Sequence, residues 1–344
     1  MNLVQWHLFI HQYNNITFIT KPDSKITNMK TKILLFTLTV FVSLVSIQCS
    51  KDKGTQDSGQ LSVKITDAPS DDANIQATFV TVADVKVDGQ SVEGFQKQTV
   101  KISDLQSGKT QVLFSGDVQA NTYSNISLVM DYGKDASGNA PGCYVLDKAN
   151  AKHDLSTSSS TTGEIKLDKS FLVTASGSSN LIVDFDLRKS IVYNANSTES
   201  EKYKFVTDAE LKNSLRLGNE DKCGDIQGKA SDNSSNSELI VYAYHKGEYS
   251  ASSETKGQGS SNIMFAKAVT SAKVNADGSY KLSFLEEGDY EIHVASCNRD
   301  TVSGKLTFTG MANASSMMSG LLMNSVTVSA NASIELNLNI TVLP

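Results

Sequence analysis

Three groups of side chains in this sequence have types and spacings that chemistry could use. Asp67, Asp71 and Asp72 bracket Pro69 in the run Asp67-Ala68-Pro69-Ser70-Asp71-Asp72. Carboxylates gathered in one turn suit a hard cation such as calcium, which takes 6–8 oxygen ligands. Aspartates also favour turns because their side chains cap nearby amides. The Asp-x-Asp-x-Asp-Gly spacing of a dedicated calcium loop is missing, so a capped turn without metal is expected. Asp184 and Asp186 share one side of a strand, opposite Val183, Phe185 and Leu187. Paired carboxylates can drive glycoside hydrolysis; the simpler expectation here is a solvated strand face. Asp131, Asp135 and Asn139 fall in a glycine-containing loop and read as another turn. His153, His245 and His293 are scattered singly, so each is expected on an exposed or strand face and not as a ligand. The sequence holds no Gly-x-Ser-x-Gly, His-Glu-x-x-His, Cys-x-x-Cys or phosphate-binding loop. Gly257-Gln258-Gly259 lacks the third glycine of a dinucleotide loop. The expectation is therefore a protein with no catalytic residue, no metal and no cofactor: not an enzyme.

The remaining reactive groups are thiols. Lys30 and Lys32 precede an apolar run from Ile33 to Val45, followed by small and polar residues and then Cys49. A basic start, an apolar core and a short cleavage zone make a secretory signal, and the run is too short to span a bilayer. This arrangement resembles the lipobox of bacterial lipoproteins, which implies a signal peptide over 29–48 and lipidation at Cys49. Ordinary secretion, with Cys49 incidental, is the alternative. Residues 49–58 then form a flexible spacer, and residues 1–28, ahead of Met29, read as a gene-model extension. The chain is expected at the cell outer membrane, held by its lipid anchor, on either the periplasmic or the surface face. Three cysteines remain, Cys143, Cys223 and Cys297. An oxidising envelope would permit a Cys223–Cys297 disulfide, although sequence does not fix the pairing.

These residues must be positioned by strands. The 344-residue chain carries a net charge of −6, which disfavours a nucleic-acid partner, and its 39% hydrophobic content suits folded modules. Leu61, Val63 and Ile65 alternate with Ser62, Lys64 and Thr66, the period of a half-buried strand. Further strands are expected at Phe79–Val87, Val100–Ile102, Val112–Phe114, Cys143–Leu146, Ile165–Leu167, Phe171–Val173 and Leu181–Leu187, and Asn121–Met130 reads as a turn leading into another. Only Asp208–Leu217 is compatible with a short helix. Many short strands separated by polar turns predict an all-β protein built from two tandem antiparallel β-sandwiches, over residues 59–218 and 223–344. In the second, Asp277-Gly278 supplies a hairpin turn, and Gly247 to Asn262 is a Ser/Gly-rich insertion. Met311 to Met323 is methionine-rich and reads as a core plug or short helix, or alternatively as a partner-binding loop. Ile334, Leu336, Leu338, Ile340 and Val342 alternate with polar residues as a closing strand.

Gly59-Gln60-Leu61-Ser62-Val63-Lys64-Ile65-Thr66-Asp67-Ala68-Pro69, Ala120-Asn121-Thr122-Tyr123-Ser124-Asn125-Ile126 and Asp184-Phe185-Asp186-Leu187-Arg188-Lys189-Ser190-Ile191-Val192 resemble the domain-of-unknown-function family 4382, seen in lipoproteins. The resemblance implies an exported β-sandwich and no reaction. Gly224-x-Ile226-x-Gly228, Asp277-Gly278-Ser279-Tyr280-x-Leu282 and Leu285-Glu286-Glu287-Gly288-Asp289-Tyr290-x-Ile292 resemble the carboxypeptidase regulatory-like, transthyretin-like sandwiches, which implies a structural or binding accessory. Together the readings predict a lipid-anchored, non-enzymatic binding or scaffolding protein whose ligand is a glycan or a protein. The alternatives are a pilus-type subunit assembling by strand exchange and a hydrolase.

Overall fold

The structure is a computed structural model that describes residues 57–68, 74–157, 160–194, 196–198, 202–232, 238–300 and 305–341. The signal segment, Cys49, most of the spacer, Asp71, Asp72 and Val342 lie outside the described residues.

Alternation of apolar side chains builds the first sandwich. Leu61, Val63 and Ile65 on the strand Ser58–Ala68 are fully buried, and they meet Val80, Val82, Val85, Ile126, Leu128 and Met130 in one core. One sheet runs in the order Leu215–Asn219, Ser178–Asp186, Ser58–Ala68, Gln111–Gln119. The other is centred on the long strand Ile75–Val87, flanked by Ile126–Asp131 and Tyr144–Asp147. In this sandwich the expectation of purely antiparallel sheets fails where Ser58–Ala68 and Ser178–Asp186 run parallel. A parallel pair needs a long crossover, and here the intervening chain supplies most of the opposite sheet. Asp208–Leu217 divides into a helix, Asp208–Ser214, and the strand Leu215–Asn219. A reciprocal capping box between Thr207 and Glu210 starts that helix.

The second sandwich forms its own core from Ile226, Leu239, Val241, Leu282, Tyr290, Ile292, Leu336, Leu338 and Ile340. One sheet pairs Cys223–Asp232 with Ser279–Glu286; the other pairs Glu238–His245 with Thr270–Lys273 and Gly288–Arg299. The Asp277-Gly278 turn forms, with Gly278 at φ +82° and Asp277 Oδ1 accepting from the Ser279 amide at 2.9 Å, but it is not the expected hairpin: Thr270–Lys273 and Ser279–Glu286 belong to different sheets, so the turn crosses from one to the other. The closing strand divides into Ser333–Glu335 and Leu338–Thr341, both parallel to Cys223–Asp232, so this sandwich too departs from a purely antiparallel pattern. That pairing requires the Gly224-x-Ile226-x-Gly228 motif: a Cβ on Gly228 would lie 2.1 Å from Leu336 O. The methionine-rich stretch is neither core plug nor helix. It ends the strand Leu306–Met311, forms Asn313–Ser316 and then turns, leaving Met317 and Leu322 exposed while Leu321 and Met323 pack on the core.

Candidate functional site

The seam between the sandwiches gathers the polar side chains of the first. Parallel register sets Thr66 beside Asp184 and Ala68 beside Asp186, bringing together two segments more than a hundred residues apart in sequence. Asp184 and Asp186 do not lie on a solvated face. They are 4% and 3% exposed, as is their neighbour Ile182 at 1%, because the second sandwich covers that side of the strand.

Each carboxylate meets cations. Asp184 Oδ2 accepts from Arg216 Nη2 at 2.7 Å across the antiparallel pair, and Arg216 Nη1 also donates to Phe284 O in the second sandwich. Asp186 caps a single helical turn, Leu187–Ser190, by accepting from the Lys189 amide at 3.3 Å. Its Oδ2 lies 3.4 Å from Arg188 Nη2 and 3.3 Å from Lys189 Nζ. These two cations reach on into the second sandwich. Arg188 donates to Met264 O at 2.8 Å and Phe265 O at 3.2 Å, and Lys189 Nζ donates to Ala268 O at 3.0 Å. A charged pair left dry is costly unless its remaining hydrogens are satisfied, and these carbonyls meet hydrogens of Arg188 Nη1, Arg188 Nη2 and Lys189 Nζ. Burial still lowers the Lys189 ammonium from its usual range, against the pull of Asp186.

Asp67 completes the group. Its Oδ1 accepts from the Leu187 amide at 3.2 Å. Burial pushes its carboxyl well above the usual range; the Leu187 amide opposes the rise, and the charges of Asp184 and Asp186 add to it. A polar cavity of about 80 Å³ adjoins it, lined in part by Gln106, Ser271 and Ser283.

The loop that supplies the carbonyls is the Ser/Gly-rich insertion and its continuation to Ala268. Fully buried Glu254 folds it back on itself, accepting from Lys267 N at 3.0 Å, Tyr244 OH at 3.2 Å and Gln258 Nε2 at 3.0 Å. Glu210 ties the loop to the first sandwich by accepting from Ser261 N at 3.0 Å and Ser261 Oγ at 2.6 Å. Burial acts to raise the Glu210 carboxyl, but the hydrogen bonds from Ser261 and Thr207 outweigh it and hold the group at about 2. Lys64–Glu220 at 2.7 Å and a Lys169–Glu286 pair close the rest of the seam.

Beside the buried charges, the seam opens into a cleft of about 380 Å³. Tyr193 and Tyr203 of the first sandwich and Tyr242, Phe265 and Phe308 of the second line it, together with Arg188 and Lys305. Tyr242 stacks on Phe265 at 4.3 Å between ring centroids, and the Arg188 guanidinium lies 5.0 Å above Tyr242. Its volume falls in the range of small-molecule sites.

The other sequence candidates stay apart. Asp131 and Asp135 cap turn amides at Gly133, Lys134, Ser137 and Asn139, each at 2.8–2.9 Å. His153 is buried against Asp147 at 2.9 Å, His245 stacks on Tyr290, and His293 stacks on Tyr249 at 3.7 Å. Among the described residues no three His, Cys, Asp or Glu are grouped as metal ligands would be. The Cys223–Cys297 disulfide is not formed. Cys223 pairs opposite Glu286, just before the strand Gly288–Arg299 begins, whereas Cys297 lies near that strand's far end. At about 3.3 Å per residue the two are roughly 30 Å apart. Burial pushes the Cys223 thiol up to about 11 and the Cys143 thiol up to about 12. The sequence reading missed Arg188, Lys189 and Arg216 as a working set, and with them the aromatic cleft. One signal was present: Ile182, Asp184 and Asp186 share a strand side, and a solvated side would not carry isoleucine within the run Leu181-Ile182-Val183.

No curated protein matches the chain. Solved structures similar to it include the major pilin subunit BcpA of Bacillus cereus, at 12% identity over 83% of this chain and 71% of that one, with a TM-score of 0.21. The minor pilin GBS52 of Streptococcus agalactiae is 13% identical over 83% of this chain and 97% of that one, with a TM-score of 0.20. The Bacillus anthracis TIE protein is 12% identical over 82% of this chain, with a TM-score of 0.17; the present chain spans only 34% of its length. Residues 58–207, most of the first sandwich, match the family model described as Domain of unknown function (DUF4382).

Proposed function

We propose that this chain is a lipid-anchored protein of the cell outer membrane that acts as a non-enzymatic binding or scaffolding module, its second sandwich an accessory of the carboxypeptidase regulatory-like class. The observation that carries the reading is the seam. Two sandwiches are tied by buried side-chain-to-carbonyl bonds at Arg188 and Lys189, and a ligand-sized aromatic cleft opens between them. Such a rigid, shared cleft suits recognition of a glycan or a protein. The carboxylates that a hydrolase would use, Asp184 and Asp186, are consumed by cations. The strand that an exchanging subunit would donate, Leu338–Thr341, fills its own sheet between Cys223–Asp232 and Asn313–Ser316.

Mass spectrometry of the mature N-terminus tests the anchor and is expected to find acylated Cys49; an unmodified chain in the cytosol would overturn it. Glycan and protein arrays probed with wild type and with Phe308→Ala test the cleft. A ligand retained equally by both would move binding elsewhere.

A further inference from the structure

The polar cavity of about 80 Å³ beside Asp67 shares no described lining residue with the aromatic cleft. Its walls come from both sandwiches: Thr66, Asp67, Gln106 and Asp184 from the first, Ser271 and Ser283 from the second. Asp67 is 5% exposed and Ser271 3%, and among the described residues Asp67 Oδ2, Ser271 Oγ and Ser283 Oγ have no hydrogen-bond partner. Buried polar atoms without a partner are rare in native proteins, and here three of them line one polar space. Gly108, at φ +84°, brings the turn Gln106-Ser107-Gly108 down onto the second sandwich; a Cβ there would lie 2.9 Å from Ser283 Oγ. Ser107 and Asn275, exposed on the lining, mark the cavity's way to solvent.

The charges decide what can sit there. Both lysines on the lining have carboxylates of their own, Lys281 with Asp225 at 2.8 Å and Lys273 with Glu238. Asp184 holds Arg216 at 2.7 Å. The donors that meet Asp67 are neutral, the Leu187 amide at 3.2 Å and, more weakly, the Gln106 side chain, while the charges of Asp184 and Asp186 repel it. A buried carboxylate takes either a proton or a cation. A proton answers Asp67 alone; a cation with its waters answers Ser271 and Ser283 as well. Every donor offered is oxygen, which selects a hard cation, and the volume admits one together with several waters. Magnesium demands near-octahedral geometry, whereas calcium accepts irregular sets of about 6–8 oxygens completed by water. We propose that this cavity is a calcium site, with the Asp67 carboxylate as its charged ligand, the Ser271 and Ser283 hydroxyls as neutral ligands and water in the remaining positions. The ion bridges the two sandwiches. Its ligands are brought together by the fold, Asp67 with serines of the second sandwich, and not by the spacing of Asp67 within its own turn.

The test titrates calcium chloride into the full chain, first stripped with chelator, and follows binding heat and melting temperature, with sodium chloride matching the ionic strength. One ion is expected to bind with a Kd of about 10⁻⁴–10⁻³ M, the weak end of calcium affinities that a low ligand charge sets. At roughly ten-fold excess over that Kd the melting temperature should rise by about 3 °C. Asp67→Asn keeps the side-chain volume and the acceptor for the Leu187 amide; stripped of calcium it should melt no lower than wild type, and calcium should leave its melting temperature where it is. Ser271→Ala removes a neutral ligand and should weaken binding several-fold. Calcium that shifts Asp67→Asn as far as wild type binds elsewhere, and calcium that shifts neither leaves the cavity to water alone; either result overturns the proposal. An equal shift from magnesium at the same concentration would overturn the choice of calcium.

Discussion

Arg188 belongs to both sandwiches at once, so its truncation should be felt across the seam. Arg188→Ala would leave Asp186 to Lys189 alone, strip Met264 O of the guanidinium donor and leave Phe265 O with only the Ala268 amide. Removing one partner of a buried pair costs about 3–5 kcal/mol, a loss measurable by urea unfolding. Asp67 makes a prediction in pH. Its folded carboxyl holds a proton more tightly than the unfolded chain does, so the native state binds more protons and this group's stabilisation drains away as pH rises from about 4 through the folded value. Asp67→Asn, a neutral isostere, should flatten that part of the curve and melt no lower than wild type at pH 7. A variant that loses stability toward neutral pH as steeply as wild type would refute the assignment. At this scale the sequence spoke ambiguously. The types and spacing of Asp67, Asp184 and Asp186 were plain, but burial depends on what covers a strand, and here the cover comes from residues about eighty positions further on.

Among the elements, the insertion Gly247 to Asn262 and its continuation to Ala268 does the most unexpected work. Its composition reads as a polar surface loop, yet one fully buried carboxylate, Glu254, turns it into the bridge that meets Arg188 and Lys189. Glu254→Ala would orphan the Lys267 amide and the Tyr244 hydroxyl, at about 1–3 kcal/mol for each unmet buried group. Limited proteolysis should then cut within 247–268 well before the sandwiches unfold. Glycine spacing works differently. Gly228→Ala would force a methyl into Leu336 O, and overpacking of this kind costs about 1–3 kcal/mol, again read by urea unfolding. That element was legible: alternation located Ile334, Leu336, Leu338 and Ile340, and the Asp277-Gly278 turn followed from its residues. The parallel pairings were not, because period-2 patterning is the same whichever way a neighbour runs.

For the whole molecule, two cores of different sequence segments would ordinarily melt as two units. The seam argues otherwise: Asp184, Asp186, Arg188 and Lys189 are dry only while both sandwiches are folded, and exposing half of the network leaves the other half uncompensated. Length and strand count indicated two modules; that they share a buried electrostatic joint and a cleft could not be read from either module's pattern, since each supplies only one wall. Differential scanning calorimetry of the full chain is the most direct check on that joint. A single transition whose calorimetric and van't Hoff enthalpies agree is predicted, splitting into two in an Arg188→Ala, Arg216→Ala double variant. Two well-separated transitions in the wild-type chain would contradict it.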